Sequence, residues 1–304
     1  MSQICNLCGG ELVSRLPQVQ DTLTNESFAI SVCSSCGLGH TLPQPENLGR
    51  YYGPVYYGNR HSFTNRFCMN RRIRFVSSAT KKSSGKRLLD IGCGDGSFLY
   101  FAKDAGWDVM GTELNPERAL QAGFDVKETL EQIPEEQAFD CITMWHTLEH
   151  MRDVKWTLAE ATKRLTTDGK LIIAVPDYGG LQAKLFGRKW LHLDVPRHLY
   201  HFDAHSLSNG LRNAGFRIEK QWHQEFEYDL MGWTQSALNY IFSTPNIFMN
   251  VVMGKRDQTN VGSLLQASNF ILGAIVTGLF LPAVAVGTLF RRGGTLIIVA
   301  SREI

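Results

Sequence analysis

Between Arg87 and Leu99 the chain reads Arg-Leu-Leu-Asp-Ile-Gly-Cys-Gly-Asp-Gly-Ser-Phe-Leu, a short apolar run that turns through three closely spaced glycines. Such a run is a buried strand, because apolar residues on both faces need cover on both sides. Glycine permits the sharp bend and lets a bound group approach the backbone without meeting a Cβ. The spacing Gly92-x-Gly94-x-Gly96 differs from the Gly-x-Gly-x-x-Gly of a dinucleotide pyrophosphate site. Asp90 stands just ahead of the bend. A carboxylate there repels a pyrophosphate but suits a ligand with a cationic end.

The chain of 304 residues accommodates one large α/β domain and a small extra module. From Lys86 onward, short apolar runs alternate with helical stretches, the βαβ pattern of a parallel sheet. Strands are expected over 87–91, 108–112, 140–144, 170–175, 217–222 and 295–300, and helices over 97–105, 116–122, 154–165 and 204–214. The second strand ends in Gly-Thr-Glu113-Leu114-Asn-Pro. That is about the ~20-residue offset at which an acidic side chain accepts hydrogen bonds from both ribose hydroxyls.

The glycine bend, Asp90 and Glu113 together resemble motif I and the acidic loop of class I methyltransferases. The resemblance implies an α/β, Rossmann-like sheet of seven strands with the last antiparallel, covering roughly residues 85–304. It implies S-adenosylmethionine as methyl donor, held by Asp90, Gly92, Gly94, Gly96, Glu113 and Leu114. Ligands of open parallel sheets sit beyond the carboxyl ends of the strands. The segment Trp145-His-Thr-Leu-Glu-His150 falls at such an end. Trp145 either packs on the cofactor or is a core aromatic.

Six of the nine histidines lie between His146 and His205. His146, Glu149 and His150 stand at i, i+3 and i+4, one face of a helix if the segment is helical. A second group follows the strand near 170–175: His192-Leu-Asp-Val-Pro-Arg197-His198-Leu-Tyr-His201. Methyl transfer to oxygen, nitrogen or carbon requires loss of a proton, and a histidine oriented by a carboxylate can take it. His150 beside Glu149 is the preferred base, with His198 or His201 as alternatives, and Arg197 could hold an anionic group of the acceptor. The rival reading is a divalent ion that acidifies the acceptor. Here the segment resembles the Glu-x-x-Glu-His stretch of ubiquinone-biosynthesis O-methyltransferases and small-RNA 2′-O-methyltransferases, linked with Mg²⁺. His146 replaces the first glutamate, a poorer magnesium ligand. Glu149-His150 also matches the Glu-His pair of zinc-carrying sugar C-methyltransferases, where the histidine is implicated as base.

Cys5-Asn-Leu-Cys8-Gly and Cys33-Ser-Ser-Cys36-Gly form two matched turns separated by 24 residues. Each turn brings two thiolates to one ion, and two turns complete a closed tetrahedral four-cysteine site for structural Zn²⁺. The module is expected over 1–45, followed by a helical linker or lid over 46–84. The run from Cys5 to Tyr57 resembles the zinc-ribbon leader of sugar methyltransferases, which implies either a module that covers the active site, with Tyr56 and Tyr57 at the joint as substrate contacts, or a purely stabilising lobe.

Residues 258–290 contain no charged side chain, and neither do 230–254. The later stretch is long enough to cross a bilayer. A single crossing conflicts with the return of 295–300 to the sheet, and Pro282 divides the stretch. The insertion at 225–292 is therefore a helical pair packed on the domain, a hairpin resting on a membrane, or a dimer interface. Met231, Trp233, Phe242, Phe248 and Met249, with Arg291-Arg292 beyond, suit peripheral membrane contact through 230–290.

A net charge of +2 without a basic stripe argues against a nucleic-acid partner. The N-terminus lacks the basic and apolar regions of a secretory signal, and paired cysteines point to metal in a reducing cytoplasm. The expected function is methylation of a small molecule: a sugar or glycan precursor, or a lipid-linked or quinone-like compound. The alternatives are an NAD(P)-dependent oxidoreductase on the same topology, opposed by the glycine spacing and Asp90, and a non-catalytic membrane-associated scaffold.

Overall fold

The computed structural model describes residues 4–52, 63–81, 85–259 and 261–303. The chain opens with three strands, β1 (Leu12–Gln20), β2 (Ser27–Cys33) and β3 (Gly39–Leu42). Helix α1 (Phe63–Ala79) leads to β4 (Arg87–Ile91), whose glycine bend starts α2 (Ser97–Asp104). Then follow β5 (Asp108–Thr112), α3 (Glu117–Gln121), β6 (Asp125–Lys127), β7 (Phe139–Trp145), α4 (Val154–Arg164) and β8 (Leu165–Pro176). Beyond these lie α5 (Leu181–Phe186), β9 (Tyr200–His201), α6 (Ala204–Asn213) and β10 (Phe216–Trp222). Three helices, α7 (Phe226–Ile241), α8 (Ile247–Val252) and α9 (Ser263–Leu289), precede the last strand, β11 (Thr295–Arg302).

These elements form two compact units. The second, residues 63–175, 207–221 and 297–304, is built on a seven-stranded sheet in the order β10-β11-β8-β7-β4-β5-β6. Its central pairs, β7–β8, β4–β7, β4–β5 and β5–β6, are parallel, and the last strand in sequence is antiparallel. This is the topology expected from the motifs. All six anticipated strands are present within a few residues of their expected bounds. The edge strand β6 has three residues and carries too little pattern to be read. Leu88, Leu89, Ile142, Ile172 and Ile173 are fully enclosed, as strands covered on both faces must be. Asp153 caps α4 by accepting from the Trp156 N–H at 2.8 Å.

The first unit joins residues 1–62, 176–206 and 222–296. Its four-stranded sheet has the order β1-β2-β3-β9, antiparallel at each pair described. One apolar core unites strands, loop and helices: Val19, Phe28 and Ile30 pack with Phe186, Trp190, Trp233 and Val284. The cysteine-bearing strands are thus part of a larger lobe that also contains the apolar insertion. Burying these side chains contributes about 1.5–3 kcal/mol each relative to exposure.

Candidate active site and metal centre

In the sheet unit, the bend after β4 holds Gly92, Gly94 and Gly96 at φ of +75°, +60° and +79°, a region that costs L-residues about 1–2 kcal/mol. A Cβ on Gly92 would lie 2.3 Å from Thr147 Cγ2. The Gly92 and Cys93 N–H groups donate to the Thr112 carbonyl at 2.8 and 2.9 Å. Glu113 turns back to the bend, its Oε2 accepting from the Gly94 N–H at 2.9 Å, while Oε1 accepts from the Asn115 N–H at 3.4 Å. Asp90 is buried and accepts from Thr143 Oγ1 at 2.6 Å. The bend is packed so closely against Thr147 and Phe124 that Gly92 and Gly96 have no room for a Cβ, and it is flanked by two acids in defined orientations. That donor set fits a nucleoside with a cationic end. Leu114, beside Glu113, is 76% exposed, as a residue meeting a ligand from solvent can be.

Trp145 ends β7 and is packed edge-on against Phe98, with the Arg72 guanidinium over its ring. Its Nε1–H is buried and has no hydrogen-bond partner among the described residues. The next residue, His146, is left-handed at φ +54° and donates its N–H to the Ala174 carbonyl. Leu148–His150 is a single 3-10 turn, so the three residues share no α-helical face. His146 Nδ1 nevertheless lies 3.7 Å from Glu149 Oε1, with Glu149 enclosed. Glu149 and His150 present polar atoms within 4.8 Å of each other.

The lobe unit holds the cysteines. All four sulfurs of Cys5, Cys8, Cys33 and Cys36 lie within 4.8 Å of one another. Cys5–Cys36 and Cys8–Cys33 are 3.6 and 3.5 Å apart, too far for a disulfide. Metal–sulfur bonds of about 2.3 Å in a tetrahedron put sulfurs roughly 3.8 Å apart, so the geometry fits one ion. Gly9 and Gly37 follow the two turns at φ +75° and +78°, and their N–H groups donate to the carbonyls of Cys5 and Cys33. His40 Nε2 lies 3.3 Å from Cys5 Sγ.

The second histidine group also belongs to this unit, and its geometry changes two expectations. Arg197 does not extend a free guanidinium towards an acceptor. It is buried, pairs with Asp21 at 2.9 Å and Asp194 at 2.7 Å, and donates to the Tyr51 carbonyl at 3.0 Å. A guanidinium taken out of water needs such partners, and the role it fills is a clasp between distant segments. His201 is likewise a poor proton acceptor. Burial pushes its pKa down to about 3, and Thr41 Oγ1 is bonded to its Nε2 at 2.9 Å. His198 bonds through Nδ1 to the His192 carbonyl at 2.9 Å, with Nε2 4.0 Å from Asp194. Tyr56 and Tyr57 lie outside the described residues.

One pair escaped the sequence reading. His223, directly after β10, bonds through Nδ1 to Asp177 Oδ2 at 3.1 Å; Asp177 directly follows β8 and also accepts from the Gly179 N–H. A carboxylate only accepts, so the ring carries a proton on Nδ1 and leaves Nε2 as the nitrogen facing away from Asp177. The signal available was positional: each residue is the first after a strand, where ligands of such sheets bind.

The strand order, the glycine bend and Glu113 define an S-adenosylmethionine-dependent methyltransferase. A family model described as a methyltransferase domain matches residues 60–221, more than half of the chain, and the protein belongs to that family. The match removes the oxidoreductase alternative. Among curated relatives, the ubiquinone biosynthesis O-methyltransferase of Xanthomonas axonopodis pv. citri (strain 306) is 27% identical over 166 residues, 49% of this chain and 69% of that protein. The protein of the same description from Idiomarina loihiensis is 28% identical over 115 residues, 34% of this chain and 47% of that one. A solved SAM-dependent methyltransferase from Archaeoglobus fulgidus aligns over 78% of this chain and 94% of its own at 18% identity, with a TM-score of 0.49.

Proposed function

We propose that the protein transfers a methyl group from S-adenosylmethionine to a small amphiphilic acceptor: a sugar or glycan precursor, or a lipid-linked or quinone-like compound. The observation that carries this reading is the Gly92–Gly96 cradle with Glu113 folded back upon it. When bound, the donor supplies a methyl group already activated by a sulfonium. Chain residues then have two tasks, orienting the acceptor in line with that methyl and accepting its proton. Well-oriented reactants gain several kcal/mol, roughly 7–11, over free encounter.

Asp90 and Glu113 would hold the polar ends of the donor, with Leu114 and Trp145 beside it. His150 would take the proton, with Glu149 and His146 orienting it. Base chemistry is favoured over Mg²⁺, because the His146–His150 run offers a single carboxylate and a hard cation demands more oxygens. His198 stays an alternative acceptor of the proton. The 3.1 Å bond between His223 and Asp177 favours a second reading, in which that oriented imidazole does the work. The four cysteines would hold structural Zn²⁺, since four thiolates leave no open position for water. Such thiolates suit a reducing cytoplasm.

The test is calorimetric titration of zinc-loaded protein with S-adenosylhomocysteine. It is followed by methylation assays on nucleotide sugars, polyprenyl-linked sugars and phenolic quinone precursors. Absence of any heat of binding would refute the donor assignment. Binding without turnover on all three classes would refute the acceptor assignment.

A further inference from the structure

Helix α9 is apolar on its outer face as well as its inner one, unlike an ordinary amphipathic surface helix. Its most apolar 18-residue stretch has a mean hydropathy of 2.2, yet only 17% of that stretch is buried. The inner face mixes Asn269, Gly273, Thr277 and Gly287 with Phe280 and Val284, while Leu264, Ile271, Ile275, Leu279, Val286 and Leu289 stand outward, each between 45% and 87% exposed. A helix on a water-facing surface has a polar outer face. At 1.5 Å per residue the greasy face runs for about 40 Å, far more than the scattered apolar side chains that ordinary surfaces tolerate.

The helix is not free to cross a bilayer. It keeps protein on one side along most of its length: Phe270 lies 6.0 Å from Phe248 of α8, Thr277 Oγ1 is 3.1 Å from Thr234 of α7, and Phe280 stacks on Trp233 at 5.0 Å. Its own polar side chains are engaged by acceptors close in the chain. Ser268, Thr277 and Thr288 donate to the carbonyls of Leu265, Gly273 and Val284, and Gln266 donates to Arg256, Thr259 and Val261. A protein partner would need about one hydrogen bond per 100–200 Å² and a polar rim. The exposed apolar side chains of this face offer no such bonds, and the charged side chains of 178–193 and 258–302 are all of one sign, which suits a non-directional partner.

Charge identifies that partner. No acidic residue occurs between 178 and 193 or between 258 and 302, whereas Lys184, Arg188, Lys189, Arg291 and Arg292 are all exposed. They are drawn together around the helix. Phe186 of α5 packs on Phe280 at 6.5 Å, and Leu181 N–H donates to the Arg292 carbonyl at 2.9 Å. Leu185 and Tyr240, 63% and 61% exposed, extend the apolar surface beside them. We propose that this face seats the lobe in the interface of an anionic bilayer, with α9 lying along the surface and the five basic side chains at the headgroups. The inference is independent of the acceptor's identity.

The experiment is co-sedimentation of the zinc-loaded full chain with vesicles of phosphatidylcholine alone, or mixed equally with phosphatidylglycerol. The protein should pellet with the mixed vesicles and be released by high salt. The double variant Ile275→Asp/Leu279→Asp should lose at least about tenfold in affinity, and Arg188→Gln or Lys189→Gln roughly fivefold each. All variants should bind S-adenosylhomocysteine as the parent does, which separates failure here from failure of the methyltransferase reading. Protein remaining in the supernatant with both vesicle types would overturn the proposal. So would a dimer in light scattering that Leu279→Asp splits without any vesicle binding, because a second copy would then cover the face. Equal binding to neutral and mixed vesicles would overturn the role of the basic side chains.

Discussion

Asp177 fixes the tautomer of His223: its Oδ2 lies 3.1 Å from Nδ1, and both side chains are at most 8% exposed. Methyl transfer is expected to fall about a hundredfold in Asp177→Asn if this imidazole is the proton acceptor, because an amide can donate to Nδ1 and reverse the tautomer. Calorimetry on the same variant should show unchanged affinity for S-adenosylhomocysteine. Full turnover would assign the pair to stability alone and leave His150 as the base.

Glu113 holds the bend and, on the proposed reading, would also meet the ligand. Replacing it with Ala removes the acceptor of the Gly94 N–H and the acid that would meet the ribose. Affinity for S-adenosylhomocysteine should drop between about tenfold and a hundredfold, or about 1.4–2.8 kcal/mol. A titration within twofold of the parent would exclude Glu113 from the site.

Two glycines with nearly equal φ should respond differently to Ala. At Gly92 the new Cβ meets Thr147 at 2.3 Å, whereas at Gly9 it meets nothing within 4 Å. Gly9→Ala should cost about 1–2 kcal/mol from backbone strain alone, and Gly92→Ala clearly more. Denaturant unfolding followed by circular dichroism measures both. Equal losses would contradict the packing around the bend.

Asp229 predicts an unusual pH dependence. Burial is the main cause that pushes its carboxyl from 3.8 up to about 7. Between those values the folded state holds a proton that the unfolded state has released. Its contribution is therefore complete below about pH 4 and is lost as pH rises through about 7, on the order of a few kcal/mol. Asp229→Asn, which cannot ionise, should flatten this slope and exceed the parent in stability near pH 8. Thermal melts across the range check the sign.

Cys8 is the exposed member of the cysteine set. Cys8→Ser should lose bound zinc in a colorimetric assay and lower the melting temperature, since metal binding free energy is folding free energy. Zinc retained at one ion per chain in the variant would show that the cysteines do not form the site.

Local patterns carried much of this architecture. Bounds of β4 and β5 follow from five-residue apolar runs, and the glycine bend follows from spacing alone. The Cys5–Cys36 set was legible because each pair is local. Features that depend on long-range pairing were not. Arg197 looked like an anion grip because its partner Asp21 lies 176 residues away. His201 appeared chemically available because nothing in its neighbourhood announces the enclosing contact with Thr41, 160 residues distant. The two-residue strand β9 has no periodicity at all; it exists because β3 offers an edge. The left-handed turn at His146 also defeated a helical reading of its spacing with Glu149.

The short path from Cys5 to His198 has a practical consequence. His40 touches the Cys5 sulfur, its neighbour Thr41 donates to the His198 carbonyl at 2.6 Å, and His40 is register partner to Tyr200. Stripping or oxidising the thiols would slacken the very segment that presents His198. A preparation aged in air would then lose order around Thr41, His198 and Tyr200, a change that spectroscopy of the lobe could follow without any assay of turnover.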